Sequence, residues 1–225
     1  MISKKLHKLI YQSTEAGYTL MESMVAMVLV SILAVSISPM LGFWVASRVQ
    51  ARRVELGAVA ARAYIDGVRA EVINHPDFYL TNPTLLGEGA DVSTLVCEQN
   101  NDYCTQPTLT NQGQFFCVNN DDTSGCQVDS ATDIVLHVGS FSPSGAFYQL
   151  DSNNNPRYEL GYKLDVRAYQ AAAFSEPGKL LRSSSTKSQV SRVSGLADKK
   201  APLVEISTEI TTGETNYFEL ENLLQ

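Results

Sequence analysis

Twenty-five consecutive residues, Ser23 to Ser47, carry no charge and are mostly apolar, and the residue directly before them is a glutamate. As a helix this run spans about 37 Å at ~1.5 Å per residue, enough to cross a hydrocarbon core of ~30 Å. A 225-residue chain with such a segment has room for one membrane helix and one modest head domain with a real core. The run is too long for a secretory h-region, and no A-x-A site follows it, so removal of the whole segment is not expected. An ionised carboxylate at the start of such a segment is costly unless something pairs with it. Glu22 therefore either stays local, snorkelling or bonding to Thr19, or forms half of an interaction with another molecule. Ahead of it lies a short basic leader (Lys4, Lys5, His7, Lys8) that ends at Gly17. Charge alone barely orients the segment, because Arg48, Arg52 and Arg53 flank its far end.

The junction Ala16-Gly17-Tyr18-Thr19-Leu20-Met21-Glu22, followed by the apolar run, resembles the N-terminus of type IV pilins and pseudopilins. Tyr18 stands where Phe is more usual, and Ser23 where a larger apolar residue is common. The resemblance implies cleavage after Gly17 by a prepilin peptidase and N-methylation of the new terminus at Tyr18. It also implies a role for Glu22 in assembly, through the free amine of its own Tyr18 or of a neighbour's. Pro39 falls where many pilins carry a helix-disrupting proline; it removes one backbone donor and predicts a kink or local melting. The resemblance implies a pilin-like, α+β fold: a long N-terminal helix packed on a small antiparallel sheet, with a disulfide-stapled loop region. It places the head outside the cytoplasm on a single-pass anchor in the inner membrane. The implied partners are other pilins or pseudopilins and an inner-membrane assembly platform driven by a cytoplasmic ATPase.

A second stretch is more distinctive. Residues 45–56, VASRVQARRVEL, continued by 63–69, AYIDGVR, are similar to the pseudopilins of the cyanobacterial hormogonium polysaccharide secretion system. That similarity implies a part in polysaccharide export or gliding motility. An adhesin-type minor pilin, whose head binds polysaccharide or a surface, is a second expectation; an uncleaved anchored protein unrelated to filaments is a third.

Residues 1–17 read as leader, 18–47 as the membrane and assembly helix, 48–74 as its amphipathic continuation and 75–225 as the head. Past the membrane segment, Val49, Leu56, Ala60 and Ala63 make one stripe, while Arg48, Glu55, Arg62 and Arg69 recur at seven-residue spacing on another. Gly57, Ala58, Ala60, Ala61, Ala63 and Gly67 permit close approach of a sheet. Asn74-His75-Pro76 predicts the helix end, since proline pushes its predecessor out of the α region. Residues 77–130 read as an irregular segment with a short strand around Phe115, Phe116 and Val118. Alternation then predicts strands at Ile134–Val138, Tyr158–Ala168 and Val204–Ile210, each with one apolar face, so a sheet wet on its other side is expected. Ser183 to Gly195 is polar and reads as a loop.

Cys97, Cys104, Cys117 and Cys126 are even in number and confined to one region, which in an oxidising compartment favours disulfides. Three pairings are open; sequence order favours Cys97–Cys104 with Cys117–Cys126. A four-thiolate zinc site is the rival, at spacings wider than structural zinc usually uses. The leader's three lysines and one glutamate are net +2, so its removal takes the chain from −7 to −9. No Lys or Arg occurs between His75 and Asn155, whereas Lys179, Arg182, Lys187, Arg192, Lys199 and Lys200 follow. Most of this surface repels nucleic acid, so no nucleic-acid partner is expected. The acidic stretch against the basic one could set register between subunits. The histidines (His7, His75, His137) sit near no nucleophile motif, and no Gly-rich phosphate loop occurs, so no enzyme and no cofactor is expected. Asp151–Asn155 opens like a calcium loop but has Pro156 where the EF-hand needs Gly. Weak calcium binding at Asp121, Asp122 and Asp129 stays open. Tyr148, Tyr158 and Tyr169 are candidates for stacking on sugars, although alternate tyrosines in strands more often pack on the sheet.

Overall fold

Thr19 stands just ahead of the first helical residue and caps it. Its hydroxyl and its carbonyl both accept the Glu22 N–H, at 3.2 and 2.9 Å, and the carbonyl also accepts Ser23 N–H at 3.2 Å. These bonds satisfy donors that a helix start leaves without intrahelical partners. In this computed structural model, which describes residues 19–76, 86, 91–105, 113–141, 161–182 and 198–211, helix α1 follows from Leu20 to Arg69. Its helical backbone continues through Pro39, so the melting that proline predicts does not occur in this structure. The missing N–H removes one bond from a long ladder, too little to end a helix extended on both sides.

The end of α1 also differs from the expectation at Asn74-His75-Pro76. The helix stops at Arg69, and Glu71 takes a left-handed conformation (φ 57°). Glu71 N–H donates to the Val68 carbonyl at 3.1 Å and Val72 N–H to the Gly67 carbonyl at 2.9 Å. This pair of bonds is the Schellman arrangement, built here without the usual glycine. The chain folds back tightly, because a Cβ on Gly67 would lie 2.6 Å from Ile73 Cδ1.

The chain divides into two compact units, residues 1–44 and 45–225. In the first, the described apolar side chains of α1 are exposed from Leu20 to Trp44. The second is the head. Its main sheet is antiparallel in the order β2 (Gln114–Val118), β3 (Ile134–Phe141), β4 (Tyr162–Gln170), β6 (Val204–Ile210). A short ribbon pairs β1 (Asp91–Val92) with β5 (Gly178–Lys179), and a 3-10 turn, Ala171–Phe174, follows β4.

One face of the main sheet packs on α1. Ala60, Ala61, Tyr64, Ile65 and Val68 meet Phe116, Leu136, Val138, Val166 and Ala168 in one core. The buried helix positions recur at three and four residues, the spacing of a single helical face. They correct the stripe read from sequence: Leu56 is half-buried and Ala60 buried, but Val49 and Ala63 are exposed, and Tyr64 and Val68 take their places. Arg48, Glu55, Arg62 and Arg69 all face outward. Gly57 is where the helix comes nearest: a Cβ there would sit 3.0 Å from Leu203 Cβ and 3.4 Å from Ala168 Cβ.

The other face is not wet as the alternation predicts. Phe115, Cys117, Val135 and Tyr169 form a second core with Val92, Leu95, Phe174 and Leu180. All of β3 and most of β4 are therefore buried on both sides. The covering layer includes the cysteine-bearing segment, held by Cys97–Cys104 and Cys117–Cys126 with Cα separations of 4.4 and 5.7 Å. Segments 102–104 also lie along the edge of β2: Cys104 N–H donates to the Phe115 carbonyl and Cys117 N–H to the Asp102 carbonyl. A hydroxyl relay ties the two layers together. Tyr64 and Tyr103 hydroxyls lie 2.8 Å apart, and Tyr103 donates onward to the Asn74 carbonyl at 2.7 Å.

Candidate functional site

The N-terminal segment combines a capped helix start, one carboxylate and a continuous apolar surface. Thr19 and Glu22 have the spacing of a capping box, and Thr19 supplies its half of it. The helix start favours negative charge in its first turn, where Glu22 lies exposed. Beyond it Met21, Met24, Val28, Ile32, Val35 and Met40 all remain more than half exposed. Among the described residues, α1 alone is long and apolar enough to cross a membrane. Gly17 and Tyr18 lie outside the described residues, as do the side chain of Pro39, Tyr148, Tyr158, the Asp151–Asn155 turn and the Ser183–Gly195 segment.

In the head, the acidic loop is organised by its own hydrogen bonds. Asp121 accepts the Thr123 N–H at 2.9 Å, the Thr123 hydroxyl, and the Ser130 hydroxyl at 2.8 Å. These donors hold its carboxyl below the usual carboxylate range. Asp133, fully buried, accepts N–H groups of Asn120 and Gln127 at 3.2 and 3.0 Å. Asp122 and Asp129 are exposed, and no group of three metal-binding side chains occurs among the described residues. Tyr169 is buried, with its hydroxyl donating to the Leu181 carbonyl at 2.8 Å, so it offers no stacking surface.

The residues that sequence reasoning missed are Asp165 and Arg167, both read as part of a wet face and both buried. Arg167 Nε lies 3.2 Å from Glu205 Oε1 across the β4–β6 pair. One row further along, Gly139, Asp165 and Ser207 lie side by side on β3, β4 and β6. A hollow of about 160 Å³ lies over β4 and β6 here. Its walls include Asp165, Arg167, Arg182, Glu205 and Ser207. Neither Asp165 oxygen has a hydrogen-bond partner among the described residues, although only 4% of the residue is exposed. Burial pushes the Asp165 carboxyl up; the nearby Ser207 hydroxyl, off hydrogen-bonding geometry, pulls part of that back, as do Arg167 and Arg182. The missing signal was register, since facing residues on separate strands are not adjacent in sequence.

Comparison with protein families matches the prokaryotic N-terminal methylation motif over residues 12–38. It covers 27 of the 225 residues, and Gly17, Tyr18 and Glu22 all fall inside it. Comparison with curated proteins and with solved structures finds no match. The motif implies processing by a prepilin peptidase and assembly with other pilins. Together with one long N-terminal helix, small antiparallel sheets and two disulfides, it supports a type IV pilin-like protein with an α+β pilin fold.

Proposed function

We propose that this chain is a structural subunit of a type IV pilus-related filament or secretion pseudopilus, stored in the inner membrane with its head outside the cytoplasm. The methylation motif across Gly17, Tyr18 and Glu22 carries this reading. Cleavage after Gly17 creates the Tyr18 amine, and the same cut leaves Glu22 four residues from a positive charge. In lipid, the exposed apolar surface of α1 is already solvated, so burial of that surface alone gives little drive to associate. A carboxylate that lacks a partner in hydrocarbon supplies a drive of its own, because pairing with the amine of a neighbouring subunit removes its cost. The similarity of residues 45–56 and 63–69 to hormogonium pseudopilins favours a task in polysaccharide export or gliding motility.

Peptide mass spectrometry of the membrane-extracted protein tests the reading directly. A methylated Tyr18 terminus is expected; an intact Met1 leader in cells with an active prepilin peptidase would overturn it. Glu22→Ala should be cleaved normally yet enter sheared filaments about tenfold less, in keeping with the loss of one charge pair in a poorly solvating medium. Normal incorporation would remove Glu22 from the mechanism.

A further inference from the structure

We infer that Arg48, Arg52 and Arg53 form a collar that binds the phosphates of anionic phospholipids. This rests on the reading of α1 as a membrane anchor and not on filament assembly, since a cleaved subunit and an uncleaved one would present the same residues to the headgroups.

The argument starts from position along the helix. The uncharged run ends at Ser47, and the hydrophobic residues of α1 that pack on the helix-side core begin at Val54. Between them, Arg48 to Arg53 rise about 8 Å at ~1.5 Å per residue. Each headgroup layer adds about 5–8 Å to the hydrocarbon core, so these residues have the height of that layer. Arg48 and Arg52 are exposed and one turn apart on the same helix face, and Arg53 beside them is half-buried.

Charge then selects the partner. No acidic residue occurs between Glu22 and Glu55, so the collar's three positive charges have no carboxylate among them or in the apolar run. With the head outside the cytoplasm, they also stand on the side where residues flanking a membrane helix are usually poor in Lys and Arg. A negative surface at the same height offsets that cost, and lipid phosphates supply one wherever the helix is inserted. Every basic residue of α1 is an arginine, and a guanidinium grips phosphate through two parallel N–H bonds where an ammonium acts as a point charge. Zwitterionic headgroups bring an ammonium of their own, so anionic lipid is the better match. An acidic protein surface is the rival occupant. Lipid is favoured because the collar begins at the very residue where the apolar run stops.

The test uses full-length protein in nanodiscs of phosphatidylcholine with a minority of phosphatidylglycerol, two lipids that share the phosphate and differ in net charge. Native mass spectrometry reads which lipid stays on the released protein. The wild type should retain phosphatidylglycerol about tenfold beyond its bulk ratio, given roughly fivefold per arginine at an anionic surface before salt screening. Arg48→Gln, Arg52→Gln and Arg53→Gln combined should return retention to the bulk ratio. Arg52→Gln alone should lower it several-fold, and this exposed single change stays informative should the triple variant fail to fold. Arg62→Gln removes the same charge ~22 Å past Ser47, beyond the headgroup layer, and should retain lipid as the wild type does. An equal loss in Arg62→Gln would overturn the collar by showing an effect of net charge. Excess inorganic phosphate should leave the lipid in place, and displacement by it would assign the arginines to a free anion instead. Bulk-ratio retention by the wild type would overturn the proposal in favour of an acidic protein partner. Failure to enter nanodiscs at all would remove the membrane anchor on which it rests. The N-terminal mass of the same preparation reports separately on the filament reading.

Discussion

A buried carboxylate holds its proton more tightly than the same group in the unfolded chain, and this fixes the sign of the pH dependence at Asp165. Its carboxyl is raised chiefly by burial, with Glu205 adding to the rise. Between the unfolded value near ~3.9 and the raised folded value, the native state binds more protons, so stability falls as pH climbs through that window. Asp165→Asn should therefore raise Tm at neutral pH and lose that advantage as pH drops below about 4. A Tm gain that persists unchanged into acid would show that the charge is not its source. Glu71 is a second residue at odds with its place. Its φ of 57° suits glycine, so Glu71→Gly should stabilise the head by about 0.5–1 kcal/mol in chemical denaturation. The sequence pointed to Pro76 as the stop because a non-glycine left-handed cap has no signature in composition.

At the scale of elements, helix seating is the sensitive contact. Gly57 lets α1 approach Leu203 and Ala168 to within van der Waals distance, with no room for a branched side chain. Gly57→Val should cost about 1–3 kcal/mol through overpacking, measured as a lower denaturation midpoint. A neutral result would mean that the helix can shift on the sheet. Strand positions were legible because apolar residues facing α1 alternate along β3, β4 and β6. The second face was not: His137, Asp165 and Arg167 read as solvent-facing, yet His137 stacks on Phe115 with centroids 4.8 Å apart. Periodicity reports which residues share a face, and it is silent on what a non-sequential layer brings to cover that face. The N-terminal motif was legible for the opposite reason, since cap, carboxylate and apolar run are contiguous. The hollow at Asp165 draws on β4, β6 and Arg182 and left no contiguous trace.

Across the whole molecule, two cores share one sheet, and both disulfides lie in or beside the second. Cys117–Cys126 closes a short loop and should contribute roughly 2–3 kcal/mol. Reduction of both bridges should loosen residues 91–97 and 171–180 first, seen as faster amide exchange. Residues 54–68 of α1 should stay protected at the same moment. Simultaneous loss in both regions would show that the head opens as one unit.

The pleat of β3 has a consequence for how this protein can change over time. Ile134, Leu136 and Val138 belong to the helix side, while Val135 and His137, between them, belong to the stapled side. Successive letters of one strand thus answer to different neighbours, and substitutions on opposite faces should add with little coupling. A lineage could rewrite the outer layer and its loops while the helix-bearing side is inherited intact. The pleated strand acts as insulation between a part free to diversify and a part that must keep fitting its own kind.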